Sequence, residues 1–150
     1  MKWYLKVMRN YVQFNGRARR KEYWMFQLFN FIFIMLCFTL DNILINTPLF
    51  GFLGLGITGL YYLATIIPNL AVSVRRIHDV GKSGWFFLIP IAPQFLSGFL
   101  LFLFPQYLGL ITIAGILSII SLIGSIWILV LFCSNSKPGE NKYGTNPKES

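Results

Sequence analysis

The sequence predicts an all-α fold: a polytopic membrane protein with four transmembrane helices behind an N-terminal amphipathic helix lying in the membrane interface. Three observations carry this reading. The chain is 55% hydrophobic and only 12% charged, whereas a soluble domain of similar length is near a quarter charged. Between Lys82 and Lys137 no residue is charged. A run that long leaves a small soluble domain without polar surface, but it fits two spans joined by a tight turn. Finally, taking the long uncharged runs as spans places all thirteen Lys and Arg residues on one side of the membrane. Short basic loops stay in the cytoplasm, so both termini are expected there.

The N-terminal segment comes first. On a helical wheel of Trp3–Phe14, Lys2, Lys6, Arg9, Asn10 and Gln13 share a narrow arc, and Trp3, Tyr4, Leu5, Val7, Met8, Tyr11, Val12 and Phe14 fill the rest. A wide apolar face beside a narrow basic one suits the membrane interface. The alternative is a helix packed on other cytoplasmic segments, and the sequence offers no cytoplasmic domain to pack on. Asn15-Gly16 then breaks the chain. No cleavable signal is expected, because the first apolar stretch starts at Tyr23 and is long enough to span.

The spans are predicted at Tyr23–Leu40, Leu49–Val72, Trp85–Phe104 and Leu108–Phe132. Tyr23-Trp24 anchors the first at the interface. Gln27 and Asn30, one turn apart inside it, should face another helix, because an amide in lipid seeks a partner. The second opens with Gly51, Gly54, Gly56 and Gly59, a spacing short of a strict dimer motif. Pro68 near its end removes a backbone donor; the freed carbonyl needs Asn69 or a neighbouring helix. Pro90 and Pro93 should bend or unwind the third span. In the fourth, Ala114, Ser118, Ser121 and Ser125 line one face, a small-residue stripe for helix packing in preference to a polar pore lining.

The extramembrane parts are short. Residues 1–22 form a basic segment, 23–133 the four helices and 134–150 a tail, all one membrane domain. The tail, with Pro138-Gly139, Gly144 and Asn146-Pro147, reads by composition as a loop or disordered. Cys37 and Cys133 fall toward opposite sides of the bilayer, so neither a disulfide nor a two-Cys metal site is expected.

Few residues could carry chemistry. If the second helix continues past Val72, Arg75 and Arg76 each lie one turn from Asp79, a charge lock at the helix end. His78 is the single histidine, so a multi-His metal site is excluded. A His78–Asp79 dyad is awkward, because adjacent helical side chains diverge, and Ser83 is the lone nearby nucleophile. Gly81-Lys82-Ser83 lacks the first glycine of a P-loop and the strand before it. No acid or base lies mid-span, which argues against an ion-coupled carrier. Neither a catalytic residue, a metal nor a cofactor is expected.

At these residues the chain resembles a family of small bacterial inner-membrane proteins, domain-of-unknown-function family 805 (DUF805). Phe14 through Trp24, Pro68 through Trp85 and Gly139 through Pro147 carry the resemblance, in order along the whole chain. It implies an inner-membrane location and a tail that is more than a loose end; it implies no reaction.

The expected function is therefore a non-enzymatic, lipid-associated structural or regulatory membrane component. The alternatives are a cytoplasmic-face site that binds or processes a phosphate-bearing lipid or small molecule, and a transporter or channel subunit. The candidate site for an anionic headgroup comprises Arg17, Arg19, Arg20, Arg75, Arg76, His78 and Asp79. Two acids, Glu22 and Asp79, cannot neutralise five arginines, and arginine forks suit phosphate oxygens. The partners expected are membrane lipids with anionic headgroups, a second copy or another membrane protein, and no nucleic acid.

Overall fold

The computed structural model describes residues 1–45 and 56–145. Among these, five α-helices run in order: α1 (Lys2–Arg9), α2 (Arg20–Leu44), α3 (Gly56–Asp79), α4 (Leu88–Leu103) and α5 (Leu108–Cys133), with a 3-10 turn at Gly84–Phe87 leading into α4. No strand occurs among the described residues. The four helical stretches Arg20–Leu44, Gly56–Asp79, Gly84–Leu103 and Leu108–Cys133 are long and apolar enough to cross a membrane.

The helices pair as two antiparallel hairpins. In the first, amides face inward as their surroundings require: Gln27 Nε2 donates to Asn69 Oδ1 at 2.8 Å, and Tyr61 Oη donates to Asn30 Oδ1 at 2.9 Å. At the far end Asp41 of α2 caps α3, accepting the Ile57 and Thr58 amides at 2.8 and 2.9 Å. These amides are among the four that a helix N-terminus leaves unpaired. Gly56 turns into α3 at φ +65°, and a Cβ there would lie 2.8 Å from the Asp41 carboxylate. The second hairpin is closed by serines: Ser97 Oγ donates to the Ala114 carbonyl at 3.0 Å, and Ser121 Oγ to the Pro90 carbonyl at 2.7 Å. The hairpins join at the basic end, where the Tyr23 and Phe132 rings are 4.3 Å apart.

Several boundaries differ from the sequence reading. α2 begins three residues before Tyr23, because Arg20 and Lys21 are good helix formers and Glu22 sits in the positive first turn. It runs on to Leu44, where Asn42 bonds back to the Phe38 carbonyl. α3 extends past Val72 to Asp79; its expected start at Leu49, with Gly51 and Gly54, lies outside the described residues. α4 is helical through Pro93, and the unwinding is confined to the 3-10 turn. Pro90 falls in its first turn, where a missing N–H leaves no bond unmade. On α5 the packed face runs through Ala114, Ser121, Gly124 and Ile128, all buried. Ser125 is exposed instead. Gly124 takes its place because a Cβ there would meet Ile89 at 3.0 Å.

The amphipathic helix is also shorter than Trp3–Phe14, ending at Arg9 with Asn10 as its cap. Its apolar face is divided. Tyr4 and Val7 are buried against the spans, with Tyr4 5.3 Å from both Phe26 and Phe33. Met1, Leu5, Val12 and Phe14 remain exposed. The helix therefore packs on the transmembrane bundle itself, a surface that composition does not reveal.

Candidate functional site

The basic end of the bundle is organised around Asp79, the last residue of α3. Its carboxylate is fully buried. Oδ1 accepts Arg17 Nε at 3.0 Å, and Oδ2 accepts Arg76 Nη1 and Ser136 Oγ. Arg76 lies one helical turn before Asp79. Arg17 comes from the segment before α2, placed there by the Ala18 amide donating to the Arg75 carbonyl at 3.1 Å. The expected lock at Asp79 is thus made with Arg76 and Arg17. Arg75 turns the other way, to Glu22 Oε1 at 3.1 Å, while Lys6 of α1 takes Glu22 Oε2 at 2.8 Å.

The arithmetic of two acids against five arginines is answered in part by the main chain. Arg17 places all its donors: besides Asp79, Nη1 reaches the carbonyls of Gly139 and Gly144, and Nη2 those of Lys137 and Asp79. Arg76 donates to the carbonyls of Phe132 and Ser134, and Arg20 to that of Cys133 at 3.0 Å. Three of these acceptors close the C-terminus of α5. A helix leaves its last four carbonyls unpaired there and carries its negative dipole end. Arg17, Arg76 and Arg20 therefore have internal hydrogen-bond acceptors, which pair their donors without cancelling their charge, while Nε and Nη2 of buried Arg75 have no partner among the described residues.

The tail is held by the same network. Among its described residues, 134–145, the regular structure is one bridge between Asn141 and Gly144. Nevertheless the Lys137 amide donates to the Asp79 carbonyl at 3.0 Å, and Asn141 Nδ2 to the His78 carbonyl at 3.0 Å. The Tyr143 ring stacks on His78 at 3.7 Å with the planes 6° apart. Ser134–Thr145 is thus an irregular but docked strap, not the loose loop that composition indicates. Backbone carbonyls and one aromatic face hold it, and neither registers in a charge or hydropathy profile.

The seven candidate residues divide by accessibility. Arg17, Arg75, Arg76, His78 and Asp79 are buried, and Arg19 and Arg20 are partly exposed. Among the described residues the exposed cations of this end are others: Lys2, Lys6, Arg9, Lys21, Lys82, Lys137 and Lys142, of which Lys6 is paired with Glu22. Beside His78 a groove of about 530 Å³ opens between α3 and the 3-10 turn. Its walls are apolar, from Leu70, Val74, Trp85 and Leu88, and its polar end holds His78, Ser83 and Tyr143. Sequence reasoning missed this groove and its aromatic strap residue Tyr143. Among the described residues no group of three His, Cys, Asp or Glu could hold a metal ion.

The network brings together all three segments on which the sequence resemblance rests, through Arg17, Asp79 and Gly139–Gly144. A family model described as "Protein of unknown function (DUF805)" matches residues 11–145. Two Escherichia coli K12 proteins are similar over nearly their whole length. Inner membrane protein YhaH is 39% identical over 148 residues, covering 99% of this chain and 98% of its own. Inner membrane protein YhaI is 38% identical over 149 residues, covering 99% and 97%. No solved structure matches. The chain belongs to the DUF805 family.

Proposed function

We propose that this DUF805 protein is a non-enzymatic, lipid-associated structural or regulatory component of the bacterial inner membrane, with both termini in the cytoplasm. One observation carries the non-enzymatic reading: the two buried acids of the basic end are fully engaged. Glu22 holds Lys6 and Arg75, and Asp79 holds Arg17, Arg76 and Ser136. A general base needs a lone pair within reach of a substrate proton, and these carboxylates lend theirs to buried cations. Their work is to hold the helix ends and the tail in one piece.

The lipid association rests on what faces outward at the same end. Lys2, Arg9, Lys21, Lys82, Lys137 and Lys142 are exposed, each attracting an anionic leaflet by about 1 kcal/mol when near its surface. Trp24 and Trp85 stand exposed beside them, as interfacial anchors do. The relatives' inner-membrane names and the Lys/Arg asymmetry support the location and orientation. The test is lipid selectivity. Purified protein in mixed bilayers of phosphatidylglycerol and phosphatidylcholine should enrich the anionic lipid in its boundary shell, by spin-labelled lipid partitioning. Equal partitioning at low salt would remove the lipid reading.

A further inference from the structure

We propose that the groove beside His78 holds one phosphate-headed membrane lipid, its headgroup at His78, Lys82 and Lys142 and its chain along Leu70, Val74 and Leu88. The proposal rests on the lipid-associated reading and adds to it a single defined site. At about 530 Å³ the groove falls within the volumes of small-molecule sites, roughly 300–1,000 Å³. It is apolar along its length and polar at one end, the division an amphiphile has.

His78 supplies a polar group to the lining of the groove. The residue is 8% exposed, yet its buried Nδ1 has no hydrogen-bond partner among the described residues. The Gly16 backbone lies beside the ring. The group a ligand in the groove meets is Nε2, which shows no hydrogen bond among the described residues. The ring cannot turn away to solvent, because Tyr143 stacks flat on it. Nε2 borders the groove at Gly84, where an added Cβ would lie 3.3 Å from it and 2.8 Å from Val74 Cγ1. Glycine at this point keeps the mouth open. The mouth is cationic as well. Lys142 Nζ stands 5.0 Å over the Tyr143 ring, and exposed Lys82 adjoins Ser83 of the lining. The nearest carboxylate in sequence, Asp79, is turned to Arg17 and Arg76. A negative headgroup therefore meets positive charge, and a hydrocarbon chain meets an apolar wall.

The test is native mass spectrometry of the full chain in mild detergent, titrated with phosphatidylglycerol, phosphatidylcholine or inorganic phosphate. One phosphatidylglycerol per chain should be retained. Val74→Trp, which fills the groove, should lower retention about tenfold. Lys142→Gln, at an exposed position, should lower it about fivefold. Boundary-shell enrichment in bilayers should remain in Val74→Trp, which keeps every surface cation, so loss of the site is distinguishable from loss of lipid association itself. Unchanged retention in Lys142→Gln overturns the proposal, and so does unchanged retention in a folded Val74→Trp protein. Displacement of the lipid by equimolar inorganic phosphate also overturns it, since the apolar wall would then contribute nothing.

Independently of the groove, we infer that α4 and α5 meet a second copy of this chain at Gln94. Every other Asn or Gln side chain inside the described spans is paired: Gln27 with Asn69, Asn30 with Tyr61, Asn42 with its own helix. Gln94 is exposed on α4 and makes no hydrogen bond among the described residues. It lies ten residues beyond Gly84, about 15 Å into a hydrocarbon layer roughly 30 Å thick. No water is available there to satisfy an amide. An amide carries both donor and acceptor, so two glutamines facing each other across a two-fold axis satisfy one another. Exposed Phe95 and Ser125 flank it in a shallow groove of about 430 Å³, where a second helix could seat. Single-molecule photobleaching in bilayers should count two copies per spot. Gln94→Leu should weaken the dimer about threefold to thirtyfold, and Gln94→Cys in a background without Cys37 and Cys133 should cross-link to itself. Single copies in the wild type, or no cross-link at position 94, overturns the inference.

Discussion

The Tyr11 hydroxyl donates to the Ala64 carbonyl at 2.6 Å, and that is the carbonyl Pro68 leaves unpaired four residues further along α3. A segment outside the spans thereby completes the backbone of a helix within them. Tyr11→Phe removes the donor and keeps the ring. It should destabilise the protein by about 1–3 kcal/mol, measured as a lower midpoint in denaturant titration from detergent micelles. In a Pro68→Ala background, where the alanine supplies the missing N–H, the same change should cost little.

Asp79→Asn should be among the most damaging single changes. It keeps the shape but leaves Arg17 and Arg76 as buried cations without a counter-charge, both with side chains under 2% exposed. Breaking a buried pair from one side costs about 3–5 kcal/mol. Thermal unfolding followed by tryptophan fluorescence should show it, and Glu140→Gln, on the exposed tail, should leave the midpoint unchanged.

Arg17→Lys should release the tail while the helices remain inserted. Lysine keeps the charge, but it has three donors on a point cation and cannot span Asp79 and three separate carbonyl sites as the guanidinium fork does. Hydrogen exchange of the Lys137 amide, bonded to the Asp79 carbonyl, should quicken by at least about tenfold. Unaltered exchange there would show that Arg17 does not hold the strap.

Tyr143→Ala and Tyr143→Phe separate stacking from the hydroxyl. Aromatic pairs contribute about 0.5–1.5 kcal/mol, so the alanine variant should expose residues 137–145 to limited proteolysis and the phenylalanine variant should not.

Orientation has its own check. With Cys37 and Cys133 removed, Gln106→Cys should react with an impermeant thiol reagent on intact cells, and Glu140→Cys only after permeabilisation. Both positions are exposed. The reverse pattern would invert the topology drawn from the Lys and Arg distribution.

The parts of this fold that are legible in the sequence are those written in side chains. Long apolar runs mark the spans, Gln27 and Asn30 mark the inward face of α2, and small residues mark most of the packed face of α5. What is not legible is written in the main chain. Arg17 looks like a topology signal because its acceptors, the carbonyls of Lys137, Gly139 and Gly144, carry no residue-type signature. Arg76 and Arg20 look like surplus charge because the end of α5 offers only carbonyls. Tyr11 reads as one more apolar residue on a wheel, although the missing N–H of Pro68 announces an acceptor in search of a donor. Gln94 draws no notice because its significance lies in having no partner among the described residues, which no residue type announces.

The clasp on α5 also sets a timetable for biogenesis. Arg17 leaves the ribosome 120 residues ahead of Lys137, whose carbonyl it binds. At 5–20 residues per second that interval is roughly 6 to 24 s. Until it ends Arg17, and Arg76 once it is made, have Asp79 but lack the carbonyls of α5 and the strap. The arginines must wait in headgroup water, and the basic end can close only after the last span and the strap have been synthesised. A chain stalled before residue 132 would present those unclosed cations at the membrane surface, a marker by which unfinished copies differ from finished ones.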